Sequence, residues 1–318
     1  MRPGDDLSGA PWYYPSVSMH AGGEMRRREF CAMAMAVSAS PLGLHSARGE
    51  AGVPGFPFDI VEVPRAGAIA AWEGLRSAGR GYPLIVGKRA EAVRMAENLF
   101  SSPPRHSTAE VLALAAGIDF PADFVAYRQG RDAEAQAWFE EFTREHPEIM
   151  QNPEITPPLP PSSGDGIILR PWQDGMVWDA ERPMGTWPAQ PGTMGPWFVE
   201  TDEACCGDTV VIAFIPVADW TEVPAALYWG DWNDCPAAEY HVAALRSWRD
   251  RFGAELVSMG FDTLDLRVRQ RPAGRDAAVA LARELHLYCS DTIDQGFGTV
   301  NAYAASLAAS DWWNFWWD

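Results

Sequence analysis

The segment Glu255–Arg271, ELVSMGFDTLDLRVRQR, decides the fold class. Glu255–Met259 is a short apolar run, and Thr263–Arg269 alternates strictly. Leu264, Leu266 and Val268 fall on one side; Asp265, Arg267 and Arg269 fall on the other, with Arg271 continuing the polar row. A period of two marks a strand with one buried face, so two strands are expected here. Arginine grips carboxylates bidentately, and this stripe can dock a carboxylate-rich partner protein or a small anionic ligand. It can equally pair with the chain's own acids and keep a sheet edge soluble. The local pattern leaves both open.

Helices flank these strands. Upstream, Trp229–Pro236 (WGDWNDCP) leads into a helix over Ala237–Phe252, with an apolar face of Val242, Leu245, Trp248 and Phe252 and a stop at Gly253. Downstream, Arg271-Pro272 turns into a helix over Asp276–Cys289. CSDTIDQGFGT (Cys289–Thr299) then leads to a last helix near Val300–Ala309, and the chain closes on WWNFWWD. Further strands are expected at Thr209–Ile215 and Ala225–Trp229. Nearer the N-terminus, Phe58–Val63 and Tyr82–Gly87 read as strands. Between them, Ala66–Ala78 carries Ile69, Trp72 and Leu75 at helical spacing. Ser107 and Glu110 form a capping-box pattern ahead of Val111, Leu112 and Leu114. Asp132–Glu145 reads as an amphipathic helix presenting Trp138, Phe139 and Phe142.

These elements define an α/β (α+β) protein with small mixed sheets flanked by helices. Residues 56–150 form a small α/β unit without a phosphate loop, GxSxG or HExxH. Residues 151–207 are Pro/Gly/Trp-rich: Asn152–Gly166 (NPEITPPLPPSSGDG) reads as a semi-rigid linker, and 170–207 as an irregular layer packed on the next domain. Residues 208–318 form the C-terminal domain. Residues 1–51 read as a leader. Arg26, Arg27 and Arg28 precede Phe30 and the apolar stretch Cys31–Leu44, with small residues around Gly49 and Ala51, a pattern of the twin-arginine type. Export to the periplasm is the expectation. The alternative is a cytoplasmic protein with a basic tail, starting at Met1 or Met25.

The chain has 318 residues, with 43 acids against 25 bases and a formal charge of −18. That surface repels phosphate backbones, so nucleic acid is excluded as a first choice of partner. No apolar run reaches the roughly 18 residues of a membrane span. The 15 Trp gather towards the C-terminal half and read first as core and anchor residues.

Five ordered motifs stand in the last third: Trp248-Arg249-Asp250-Arg251-Phe252-Gly253-Ala254, Asp262–Leu266, Arg271-Pro272-Ala273, Tyr288-Cys289-Ser290-Asp291 and Phe315-Trp316-Trp317-Asp318. Together they make about residues 208–318 resemble a bacterial domain-of-unknown-function family numbered 4253. Ala273 and Ser290 stand where the family pattern has Pro. The resemblance implies an α/β domain and brings no activity with it.

Candidate chemistry centres on a few residues. Cys235 precedes a helix whose N-terminus favours thiolate, which suits a nucleophile or redox thiol. His241, six residues on, is not expected to face it, and His286 could approach only through the fold. Cys235 and Cys289 are a candidate disulfide in an oxidising compartment, or two inert buried thiols. Cys205-Cys206 are adjacent, and a link between them would be strained. Cys235, His241, His286 and Cys289 can be written as a zinc set, but their spacings are not those of fingers or ribbons. No metal and no cofactor is expected. Asp231 and Asp234 before one helix, and Asp291 and Asp294 after another, read either as helix caps or as paired acids of a hydrolase. The tail is expected to fold back into the core, where Trp316, Trp317 and Asp318 could frame a ligand. The favoured function is a non-catalytic binding module contacting a partner or anionic ligand through Asp234, Arg267, Arg269, Arg271, Trp316, Trp317 or Asp318. The alternative is a hydrolase of glycan, ester or peptide bonds using Asp291, Asp294 or Cys235; a thiol-redox protein stands behind it.

Overall fold

The computed structural model describes residues 52–100, 104–145, 184–200, 208–232 and 234–317. The leader with Cys31, the linker Asn152–Gly166, Cys205, Cys206 and Asp318 lie outside the described residues, as do the side chains of Trp138, Phe139 and Phe142.

The run TVVIAFI is buried from Val210 to Ile215 because it is a strand with partners on both sides. It pairs antiparallel with β1 (Asp59–Pro64) and with β2 (Tyr82–Gly87), and is β3 (Thr209–Ile215). β2 also lies parallel to β4 (Glu255–Met259) through Ile85 and Ser258. β5 (Thr263–Arg267) and β6 (Trp312–Trp316) continue from β4, both antiparallel. One six-stranded mixed sheet results, in the order β1-β3-β2-β4-β5-β6. The α/β class holds. Strands from both sides of the Pro-rich segment join this one sheet, where separate small sheets were expected.

Nine helices accompany it among the described residues: α1 (Ala68–Leu75), α2 (Arg89–Leu99), α3 (Thr108–Ala116), α4 (Ala122–Glu145), α5 (Trp197–Glu200), α6 (Val223–Leu227), α7 (Ala238–Phe252), α8 (Arg275–Tyr288) and α9 (Val300–Ala309). The capping box at α3 forms, with Glu110 N donating to Ser107 Oγ and Ser107 N donating back to Glu110 Oε2. Ala225–Trp229 is not a strand. Asp219 caps a turn at Trp220–Glu222, Pro224 suits the first turn of α6, and Tyr228 ends it in the left-handed region. A short apolar run does not by itself separate these two outcomes.

Alternation sorts the sheet's side chains into two cores. Leu84, Val86, Val211, Leu256, Leu264, Leu266, Trp313 and Phe315 enter the main core with residues of α2, α7, α8 and α9. Ile85, Val210, Ile212 and Val257 enter a smaller core with Ala68 and Trp72 of α1 and Phe198 of α5. Trp72 anchors the latter by donating from Nε1 to Pro83 O at 2.7 Å. The WWNFWW tail folds back as β6, burying Trp313, Phe315 and Trp317.

The segment 184–200 is laid along α9 and β6. Its backbone polar groups are met by buried side chains. Asn301 Nδ2 donates to Gly185 O (2.8 Å), Ser306 Oγ to Gly192 O (2.8 Å) and Asn314 Nδ2 to Gly195 O (2.9 Å). Ser310 Oγ donates to Met194 O at 2.7 Å and accepts from Met194 N at 3.2 Å. Ser310 Oγ also accepts from Trp312 N at 3.1 Å, so Ser310→Ala removes the partner of three part-buried backbone groups, and a loss of about 1–3 kcal/mol is expected in denaturant titration. An unchanged midpoint would show that Ser310 does not hold the segment.

Candidate functional site

The loop Tyr228–Pro236 sits at the carboxyl ends of the parallel pair β2 and β4, where open α/β sheets hold ligands. Trp229 fixes it there by donating from Nε1 to Gly260 O (2.9 Å) and Phe261 O (3.1 Å). The backbone turns sharply: Tyr228 and Asp231 have φ of 53° and 67°, and Gly230 has φ 116°. A Cβ on residue 230 would lie 2.1 Å from Pro236 O, so glycine is required.

Polar clamps hold this loop from outside. Arg128 of α4, 2% exposed, donates from Nη1 to Asp234 O (3.0 Å) and from Nη2 to the Asp234 carboxylate. Ser290 Oγ donates to Asp234 Oδ2 (3.2 Å). Arg131 and Arg105 reach the Asp231 carboxylate at 2.8 and 3.4 Å. Ala237 N donates to Tyr127 OH at 3.1 Å. The loops carrying Asp234 and Ser290 thus converge. Asp294 pairs with His286 Nε2 (3.1 Å), and Asp291 Oδ1 accepts from Gln295 Nε2 (3.1 Å).

Beneath the loop lies a buried thiol–imidazole–phenol group. Cys235 Sγ is 3.4 Å from His241 Nε2, and His241 Nδ1 meets Tyr288 OH. The expectation that His241 faces away is corrected: it counted both residues along one helix. Cys235 precedes the α7 N-cap Ala237 (φ −68°, ψ 155°), in chain outside the helical rotation, and its thiol meets the helix face. Burial pushes the Cys235 and Cys289 thiols and the Tyr288 phenol up and the His241 imidazole down to about 3. All four are neutral at pH 7. Burial overrides the helix terminus that favoured thiolate. Cys235 and Cys289 are free thiols in this structure, and Cys289 Sγ donates to Trp316 O at 2.9 Å. The zinc set does not assemble: His286 turns to Asp294, and no cluster of metal-ligating side chains occurs among the described residues.

The outer side of the loop forms an aromatic surface that carried no signal in the sequence. Trp232 stacks on Phe261 (centroids 5.4 Å apart, 12° between planes), and the Arg94 guanidinium lies 4.2 Å from the Phe261 ring centre. Through Asp231 and Arg131 this runs on to Tyr127, stacked on Tyr240 at 3.9 Å. These residues come from α2, α4, α7 and two loops, and no local spacing links them.

The arginine stripe is paired internally. β5 lies inside the sheet, between β4 and β6. Arg267 reaches Glu73 of α1 (2.7 Å), Arg269 lies 3.8 Å from the buried Glu255, and Arg271 reaches Asp311 (2.7 Å). The hydrogen bond from Arg271 holds the Asp311 carboxyl below its ordinary value. Arg271 also borders a cleft of about 400 Å³ floored by Phe252, Pro272, Ala277 and Leu281. Trp317 packs in the core against Trp229 (5.4 Å), while Trp316 stacks on the half-exposed Trp197 (5.5 Å) elsewhere on the surface.

Fold and site together define a mixed α/β protein with a clamped aromatic loop above a neutral thiol–imidazole–phenol group. Residues 211–318 match the model of a family described as Domain of unknown function (DUF4253), the segment whose motifs carried the resemblance. No curated protein and no solved structure matches the chain.

Proposed function

We propose that this chain is a non-catalytic binding protein that meets a partner protein through the aromatic–arginine surface around Trp232. One observation carries the reading: Trp232, Phe261 and Arg94, joined through Asp231 and Arg131 to Tyr127 and Tyr240, are already stacked before any partner arrives. Trp, Tyr and Arg dominate interface energies, and side chains ordered beforehand lose less entropy on binding. The test is a photo-crosslinking residue at position 261, used to isolate the partner, followed by titration of that partner with variants. Trp232→Ala is expected to weaken binding by at least about 2 kcal/mol, roughly thirtyfold, at a temperature where the variant is still fully folded. Equal affinity for Trp232→Ala and the natural chain would overturn the reading.

A second reading, thiol-dependent hydrolysis, is favoured by the 3.4 Å contact between Cys235 and His241. It requires turnover of an ester or peptide panel that Cys235→Ser abolishes. An electrophilic probe that leaves Cys235 unlabelled in the native chain counts against it.

A further inference from the structure

The interior beneath the loop holds two free thiols on segments tied together beside them. Asp234, which precedes Cys235, accepts from Ser290, which follows Cys289. One imidazole touches the Cys235 sulfur and the hydroxyl of Tyr288, the neighbour of Cys289. The two thiols differ in how they are held. Cys289 closes the end of α8 and donates to Trp316 O near the β6 edge. Cys235 rides on the 228–236 loop, fastened by Arg105 and Arg131 on Asp231 and by Arg128 and Ser290 on Asp234. The Asp231 carboxylate is 40% exposed, so water can replace its two ion pairs, leaving Asp234 on the buried Arg128 as the remaining anchor. A loop held this way opens by local unfolding at a fraction of the global free energy.

We propose that Cys235 and Cys289 form a gated dithiol that exchanges with small disulfides, Cys235 attacking when the loop lifts and Cys289 resolving the adduct. This goes beyond the binding reading and does not depend on it. Cys235 Sγ bonds to one sulfur of RS–SR as the S–S bond breaks; one RS⁻ leaves and takes up the Cys235 proton, giving a mixed disulfide and RSH. Cys289 Sγ then bonds to the Cys235 sulfur and expels the second RS⁻, which takes up the Cys289 proton. The chain is oxidised by two electrons, and the small disulfide is reduced to two thiols. Lifting the loop into water returns the Cys235 thiol to its ordinary range and lets it attack.

The test uses the full chain with Cys31, Cys205 and Cys206 replaced by serine, incubated with 2-hydroxyethyl disulfide and followed by intact mass and peptide mapping. The two thiols should be lost together, with residues 235 and 289 linked. Cys289→Ser should stop at a mixed disulfide on Cys235, and Cys235→Ser should leave Cys289 unreacted over the same time. Arg131→Gln loosens a clamp without touching either sulfur and should speed the reaction about tenfold at an unchanged melting temperature; Arg105→Gln serves if Arg131→Gln does not fold. Loss of both thiols only at the rate of global unfolding in the same buffer, or first attack by Cys289, would overturn the proposal.

Discussion

Trp248→Ala should cost about 3–5 kcal/mol of folding free energy, the range for removing a large aromatic side chain from a core. Trp248 is fully buried and stands where four rings meet. It stacks on Phe315 of β6 (5.6 Å, 6°) and meets Tyr288 of α8 (4.8 Å), Phe120 (5.4 Å) and Trp313 (5.9 Å) edge-on. Those rings sit on separate elements fixed by their own packing, so the void cannot close by a single shift. The substitution also removes the donor from Trp248 Nε1 to Glu284 Oε1 (2.7 Å), although Glu284 keeps Arg251. Trp248→Phe should lose less, because most of the ring surface remains. Urea titration of the three proteins decides the matter. A loss below about 1 kcal/mol for the alanine variant would mean that this cluster is not the centre of the core.

Acid should unfold the chain through His241, at about 1.4 kcal/mol per pH unit below pH 6.5. Burial holds the folded imidazole at about 3, whereas its ordinary value is 6.5. Between those values the unfolded chain binds a proton that the folded chain refuses, so falling pH favours unfolding. Above pH 6.5 both states are neutral and this contribution is flat. Around the ring, Cys235 and Tyr288 are held uncharged by burial and Trp229 and Trp317 carry no charge; the Pro236 backbone carbonyl favours the imidazolium but is outweighed by burial. Stability measured from pH 7 to 5 should therefore fall more steeply for the natural chain than for His241→Gln. Parallel curves would mean that His241 already carries its proton in the fold or is reached by water.

Where one short stretch contains the whole cause of its structure, reading the sequence was enough. Thr209–Ile215 and Glu255–Met259 are strands on composition and length, and Ser107 with Glu110 caps α3 through groups three residues apart. The Trp-rich tail had to fold back, and Trp313, Phe315 and Trp317 are buried. Failures arose where distant segments decide. The local pattern could not decide between an outside partner and the chain's own acids for Arg267, because Glu73 lies on a helix far back in the chain. Arg128, Arg131 and Tyr127 of α4 land on the 228–236 loop only through tertiary packing, so the clamps and the aromatic surface had no local pattern to betray them. The Cys235–His241 contact was missed because helical counting was carried past the N-cap, where the backbone is extended.

The position of β2 has a consequence for how the protein is made. Tyr82–Gly87 is nearly all apolar and lies between β3 and β4, with Tyr82 opposite Ile215 and Ile85 opposite Ser258. It is translated long before either neighbour. Non-local strand pairing of this kind closes slowly, and an apolar strand without partners invites association with other chains. The growing polypeptide must therefore carry a ready-made sticky segment until residues beyond Met259 have emerged.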